Sequence, residues 1–262
     1  MNASNKLLEV KEVHKVFGEG QSETKALKGV TFDVLPGEFL GIMGASGSGK
    51  TTLLNVIATM LKPTSGQILL EGQNISSFKG GQLAAYRGNH IGYLFQQFEL
   101  IDNLTVKENI VLPLAIHGIH VSAQEQQLSE LVNRFDIEEL LNKFPSQLSG
   151  GQKQRVAAAR ALISNPSIVL ADEPTGALDT KNAKVLMEKL SEHNQLQGST
   201  ILMVTHDPIA ASYCDRVIFI KDGEFFNEIY KDDRRQTFFQ RILNVLSLLG
   251  GHVGDFSSIR LP

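Results

Sequence analysis

The chain has 262 residues, 42% of them apolar, enough for one large core or two small ones. Its 25 basic and 28 acidic residues leave a net charge of −3, which excludes a bulk attraction to nucleic acid or to anionic lipid. A single cysteine, Cys214, excludes an internal disulfide. The opening MNASNKLLEV lacks the charged and apolar regions of a signal peptide, so a cytosolic protein is expected. No apolar run approaches the roughly eighteen residues of a membrane span. The longest candidate, Ile110 to Ile116, is interrupted by Pro113, so work at a membrane would require another chain to span it.

From the N-terminus, LLEVKEVHKVF and ALKGVTFDVL alternate apolar with polar residues, are separated by GEGQSE, and close on Pro36-Gly37. They read as antiparallel strands of a small sheet. The pattern then changes to strand, glycine loop and helix: FLGIM runs into GASGSGKTT, and the helical pattern TTLLNVIATML follows. Gly44 to Thr51 forms a complete G-x-x-x-x-G-K-[ST] phosphate loop, with Ala45, Ser46, Gly47, Ser48 and Gly49 between its ends and Thr52 just past it. Such a turn aims backbone N–H groups and the positive end of a helix at nucleotide phosphates. Lys50 would reach the β and γ phosphates, and Thr51 would place its hydroxyl on Mg²⁺.

Between Leu83 and Ala161 strand signals thin and helical patterns such as EQQLSELVNRF dominate, so a helical subdomain over about 83–161 is expected, inserted into the sheet. Within it, Ser149, Gly150 and Gly151 precede the helix QKQRVAAARAL, a second helix start able to receive a phosphate, although spacing alone fits an ordinary capped helix equally. The runs SIVLADE and TILMVTH supply short strands apolar throughout, as in a parallel α/β sheet buried on both faces. The first ends in Asp172 and Glu173, where α/β folds put ligand-contacting groups. Asp172 is expected to hold the Mg²⁺ shell, and Glu173, pointing the other way, to polarise a water for attack on the γ-phosphate. Two ordinary solvated acids are the alternative for that pair alone.

With LSGGQ at Leu148 to Gln152, the chain resembles an ATP-binding-cassette (ABC) ATPase over residues 7 to about 228. The resemblance implies an α/β P-loop fold: a RecA-like, mostly parallel core sheet, an N-terminal antiparallel β-subdomain and the helical insert. It implies hydrolysis of ATP with Mg²⁺, and a head-to-tail homodimer in which Ser149, Gly150, Gly151 and Gln152 complete the partner's γ-phosphate site. Phe17 resembles the aromatic that stacks on adenine, with a core phenylalanine as the alternative; tyrosine is commoner at that position. Gln96, with Gln97 as the adjacent rival, resembles the glutamine that senses Mg²⁺ and links catalysis to a membrane partner. Asp179 resembles the loop aspartate that crosses the dimer interface, and His206 the histidine that contacts the γ-phosphate. The segment from Gln96 to Val111 is implied to receive a short cytoplasmic helix of a permease.

At finer grain, RGNHIGYLFQQFELIDNLTVKENIVLPL and ADEPTGALD are similar to the lipoprotein-release, macrolide-export and FtsE-like subfamily. The tail NEIYKDDRRQTFFQRILNVLSLLGG looks like the extension found in ATPases of bacitracin and lantibiotic resistance. That likeness implies work on an integral-membrane permease at the cytoplasmic face of the membrane, with a sensor histidine kinase as a further partner. Lipoprotein release and cell division are the alternatives, and a soluble ABC ATPase acting on nucleic acid or ribosomes is the other class. That last class fits poorly, because the chain carries no long insertion, no second cassette and no basic arm.

The residues divide the chain into a cassette, 1–228, and an extension, 229–262. In the extension Phe238, Phe239, Ile242, Leu243, Leu246 and Leu249 recur at helical spacing beside Arg234, Arg235 and Arg241. That apolar face must be buried, either on the cassette itself or on a partner.

Overall fold

The computed structural model describes residues 6–119 and 125–250. Its first strands, β1 (Leu8–Phe17) and β2 (Thr24–Val34), pair antiparallel with Leu8 opposite Val34, as the alternation predicts. A register shift lies between Val10 and Val13, where Glu12 takes a φ of 49°. The extra residue restores Val13 to the inner face, so that Leu8, Val10 and Val13 are all fully buried. Next come β3 (Phe39–Met43), α1 (Lys50–Ile57), β4 (Ser65–Leu70) and β5 (Gln73–Asn74); β4 and β5 complete a small sheet in the order β2-β1-β4-β5.

The chain continues through α2 (Gly81–His90), β6 (Ile91–Leu94), α3 (Val106–Ile116), α4 (Glu125–Arg134), α5 (Gly150–Leu162), β7 (Ile168–Asp172), α6 (Thr180–Gln197) and β8 (Ile201–Val204). It then forms α7 (Pro208–Ala211), β9 (Arg216–Lys221), β10 (Glu224–Tyr230) and α8 (Arg235–Leu248). The larger sheet has the order β10-β9-β3-β8-β7-β6, parallel except for β10, which pairs antiparallel with β9. The central strands are buried on both sides. Phe39, Met43, Val169, Ala171, Ile201 and Met203 face one core, while Leu40, Ile42, Ile168, Leu170, Leu202 and Val204 face the other. Successive side chains on opposite faces explain why these strands read as continuous apolar runs.

The structure amends the expected helical insert over 83–161. Ile91–Leu94 is a strand of the large sheet, paired in parallel with β7. Four residues are too few to show a period of two, so the tertiary pairing decides their conformation. The two sheets are tied together by the buried guanidinium of Arg216, which donates to Glu38 Oε1 at 2.6 Å, to Glu228 Oε2 at 3.0 Å and to the Asp33 carbonyl.

The apolar face of the tail packs on the cassette. Phe238 and Ile242 are fully buried, Phe239, Leu243 and Val245 nearly so, and α8 lies against α7 and β10. Arg235 stacks on Tyr213, its guanidinium carbon 3.8 Å from the ring centroid, and donates to Ser212 Oγ at 2.9 Å. Among the described residues no helix is long and apolar enough to cross a membrane.

Candidate functional site

Parallel strands bring their carboxyl ends to one edge of the sheet, so the residues after β3, β7 and β8 converge although they lie far apart in sequence. The loop after β3 is built by glycines. Gly47 and Gly49 take φ of 77° and 98°, and a Cβ on Gly49 would stand 2.4 Å from the Ala26 carbonyl oxygen. A Cβ on Gly44 would meet the Ile220 carbonyl at 2.2 Å, whereas Gly47 faces open space, leaving a cradle of exposed amides. Lys50 is buried at the start of α1 and donates to the carbonyls of Gly44 at 2.9 Å and Ala45 at 2.8 Å. Burial pushes its pKa down, opposed by the nearby charges of Glu173 and Asp172.

Across the loop, Thr51 Oγ1 donates to Asp172 Oδ1 at 3.3 Å. The Asp172 carboxyl is held above its ordinary range, chiefly by burial, although the Thr51 hydroxyl and Lys50 favour its ionised form. Glu173 adopts a φ of 44°, in the left-handed region that a non-glycine residue seldom occupies. Three contacts hold it there: its N–H donates to the Val204 carbonyl at 2.9 Å, its carbonyl accepts from the Gly176 N–H at 2.9 Å, and its Oε2 lies 3.0 Å from His206 Nδ1. His206 is largely solvent-exposed, following β8.

These groups enclose a cleft of about 740 Å³, lined by Gly44, Ala45, Ser46, Gly47, Gly49, Lys50, Thr51, Thr52, Glu173 and His206. Ser48, inside the loop, does not line the cleft; its hydroxyl is buried beneath Gly44 with no hydrogen-bond partner among the described residues. A glycine loop that opens a helix and a desolvated lysine beside it fit an anionic phosphate chain. Among the described residues no three carboxylate, histidine or cysteine side chains converge on a metal position. A hydroxyl facing one carboxylate instead suits Mg²⁺, which takes one or two protein oxygens and fills its shell with phosphate oxygens and water.

The other expected site residues do not themselves line this cleft. Phe17 ends β1 with its ring 40% exposed and Lys15 Nζ 4.9 Å from its centroid, so it is a surface aromatic rather than a core one. Gln96, exposed in the loop after β6, lies over the turn following Glu173, where a Cβ on Gly176 would stand 2.6 Å from its Nε2. Ser149 caps α5 by accepting from the Gln152 N–H at 3.3 Å, while Gln152 Oε1 accepts from the Ser149 N–H at 2.9 Å. Asp179 caps α6 by accepting from the Asn182 N–H at 2.9 Å. A Cβ on Gly151 would clash with the Asn182 side chain, so the starts of α5 and α6 form a single surface patch with Gly150 between them and Phe98.

Two features were missed by sequence reasoning. Leu246, Leu249 and Gly250 from the end of α8, together with Ala26, line the same cleft as the phosphate loop. Gln154 on α5 is completely buried, its Nε2 donating to the Phe95 carbonyl at 2.9 Å and the Pro174 carbonyl at 2.8 Å. A polar residue inside a helix that fails to follow the amphipathic pattern was the available signal, and it carries no address without the fold.

A two-layered α/β cassette with a glycine phosphate loop, an acidic pair ending the neighbouring strand and a histidine at the next is a P-loop nucleotide-hydrolysing machine. The protein-family model described as ABC transporter matches residues 27–176. The chain is 52% identical over 255 residues to the ABC transporter ATP-binding protein YxdL of Bacillus subtilis, covering 97% of this chain and 99% of that protein. It is 49% identical over 250 residues to the bacitracin export ATP-binding protein BceA of Halalkalibacterium halodurans, covering 95% and 99%. Among solved structures it resembles the dimeric, post-hydrolysis state of the ATP-binding cassette MJ0796 bound to ADP and Pi. The TM-score is 0.78 and the identity 39%, over 87% of this chain and all of the other. The chain therefore belongs to the ABC transporter ATP-binding family. It is an ATPase, the nucleotide-binding subunit of an ABC transporter.

Proposed function

We propose that this subunit powers a separate membrane permease for resistance to, and sensing of, antimicrobial peptides of the bacitracin and lantibiotic type. The observation that carries the reading is the extent of the likeness to the bacitracin export ATP-binding protein: 95% of this chain is matched, which reaches into the 229–262 extension. By contrast, the macrolide export relative from Syntrophobacter fumaroxidans matches 83% of the chain.

In this reading two chains assemble head to tail at the cytoplasmic face of the membrane, docked on the permease, with a sensor histidine kinase reached through it. The amides of Gly44 to Thr52 and the Lys50 ammonium hold the β and γ phosphates, and Phe17 offers its exposed ring to adenine. Thr51, Asp172 and Gln96 are the residues that would hold Mg²⁺, which supplies charge neutralisation across the phosphates when bound. Glu173 accepts a proton from the attacking water, and His206, at 3.0 Å, holds the carboxylate in place and faces the γ-phosphate. The surface patch of Ser149 to Gln152 and Asp179 stands away from this chain's own cleft, where it can close over the cleft of a second copy. Closure performs the work on the permease, and hydrolysis resets it.

The reading is tested by affinity capture of Glu173→Gln protein with ATP from detergent-solubilised cells. Replacing the base traps the ATP-bound form, and the co-purifying membrane proteins are identified by mass spectrometry. A large permease with a histidine kinase is the expected result. A small four-helix permease would replace the reading with lipoprotein release or cell division, and ribosomal or DNA-repair proteins alone would overturn the transport role.

A further inference from the structure

Gln154 sits within the second turn of α5, five residues past the Ser149 cap, and is fully buried, as only Asn109 and Ser212 are among the other polar side chains of the described residues. Its amide group fills a fork. Strands β6 and β7 run parallel as far as the Leu94–Ala171 pair and then part. The Phe95 carbonyl leaves one arm, immediately before Gln96, and the Pro174 carbonyl leaves the other, immediately after Glu173. Gln154 Nε2 has two hydrogens, and each goes to one of these carbonyls. Its Oε1 is buried without a hydrogen-bond partner among the described residues, so its donors alone make its hydrogen bonds.

The position bears on catalysis for a specific reason. Glu173 is held at a φ of 44°, which persists only where its surroundings over-determine it. Its N–H and carbonyl are tied to Val204 and Gly176, and the next carbonyl along, that of Pro174, is tied to Gln154. The same amide holds the backbone that delivers Gln96, whose side chain already lies against Gly176 in the turn after Glu173. Among the described residues no other single side chain hydrogen-bonds to both the loop of Gln96 and the turn of Glu173.

We propose that Gln154 is a positioning residue for ATP hydrolysis. It fixes the Glu173 carboxylate relative to Gln96 and joins both to the helix that begins with Ser149 to Gln152. The inference rests on the reading of Glu173 as the general base. Gln154 makes no hydrogen bond to the phosphate loop and does not line its cleft, so it acts on the hydrolytic step and leaves nucleotide binding alone.

The test uses the full chain and compares Gln154→Met, which keeps the volume without donors, with Gln154→Glu, which keeps the shape but sets a carboxylate against two carbonyls. Steady-state ATPase and binding of a fluorescent ATP analogue are measured for each, alone and combined with Glu173→Gln. The Met variant is expected to lose about 10- to 100-fold in kcat, the scale of a sub-ångström to ångström misplacement, with KM and analogue affinity within about twofold of the parent. The Glu variant is expected to be slower still. In the Glu173→Gln background neither change should slow turnover further, because the group being positioned is gone. A merely structural role would lower the melting temperature and leave the losses additive. Wild-type kcat in the Met variant, additive losses, or a parallel fall in analogue affinity would each overturn the proposal. If the Met variant fails to fold, the Glu variant carries the same comparison. Should Glu173→Gln itself turn over normally, it is the reading of Glu173 that fails, an outcome distinct from an inert Gln154.

Discussion

Protonation of His193 should make the protein measurably acid-labile through one side chain. This residue lies on α6, 7% exposed, with Nδ1 at 2.7 Å from Arg134 NH1 and Nε2 at 3.1 Å from Ser199 Oγ. A guanidinium can only donate, so Nδ1 accepts and the ring proton sits on Nε2, donating to the serine. Burial, and then the Arg134 charge, push the imidazole pKa from 6.5 down to about 4. The folded protein thus refuses a proton that the unfolded chain accepts. Stability is full above about pH 6.5 and is lost as the pH falls toward about 4. The full loss is on the order of 3 kcal/mol, and about 2 kcal/mol of it should be gone by about pH 5. The comparison is Gln at position 193, whose amide can accept from Arg134 and donate to Ser199 without titrating. Urea denaturation of both proteins at about pH 7.5 and about pH 5 separates this side chain from every other ionisable group. The wild type should lose about 2 kcal/mol more than His193→Gln. Equal losses in the two proteins would refute the reasoning and mean that the imidazole accepts its proton in the folded state, with Arg134 swung away.

Two further outcomes follow from the packing. Gly49→Ala should abolish ATP binding and lower the melting temperature, since its Cβ would stand 2.4 Å from the Ala26 carbonyl at a φ of 98° and the loop must move; equilibrium binding of a fluorescent ATP analogue and thermal unfolding check this. Phe238→Ala should cost about 3 to 5 kcal/mol in thermal or chemical unfolding, because a fully buried ring that joins α8 to the main core is removed; a loss under about 1 kcal/mol would mean that α8 is not docked there.

What the sequence revealed, and what it hid, has a physical pattern. The phosphate loop was legible because its chemistry is done by backbone amides, which demand glycines at set places and a lysine at the helix start. That Asp172, Glu173 and His206 come to one edge of the sheet was legible because they follow short apolar runs, and parallel strands end together. The apolar face of α8 was also legible, down to Phe238 and Ile242, yet its target was not. An amphipathic helix states that a face must be covered and is silent about the cover. The strand Ile91–Leu94 was lost in a region rich in helical patterns, since its conformation comes from pairing with β7 rather than from its own residues. The partners of Gln154 were hidden for a similar reason. A glutamine in a helix beginning QKQR reads as solvent-facing, and only the fork between two strands makes it internal.

The last turn of α8 walls the nucleotide cleft with Leu246 and Leu249. A thermodynamic symmetry then binds the two ends of the chain together. If filling the cleft with ATP alters how firmly that turn is seated, then whatever grips or releases the turn must change the affinity for ATP by the same factor. The extension and the phosphate loop, some two hundred residues apart in sequence, thereby become reciprocal reporters: a label on α8 would read out nucleotide occupancy, and a ligand for α8 would tune it.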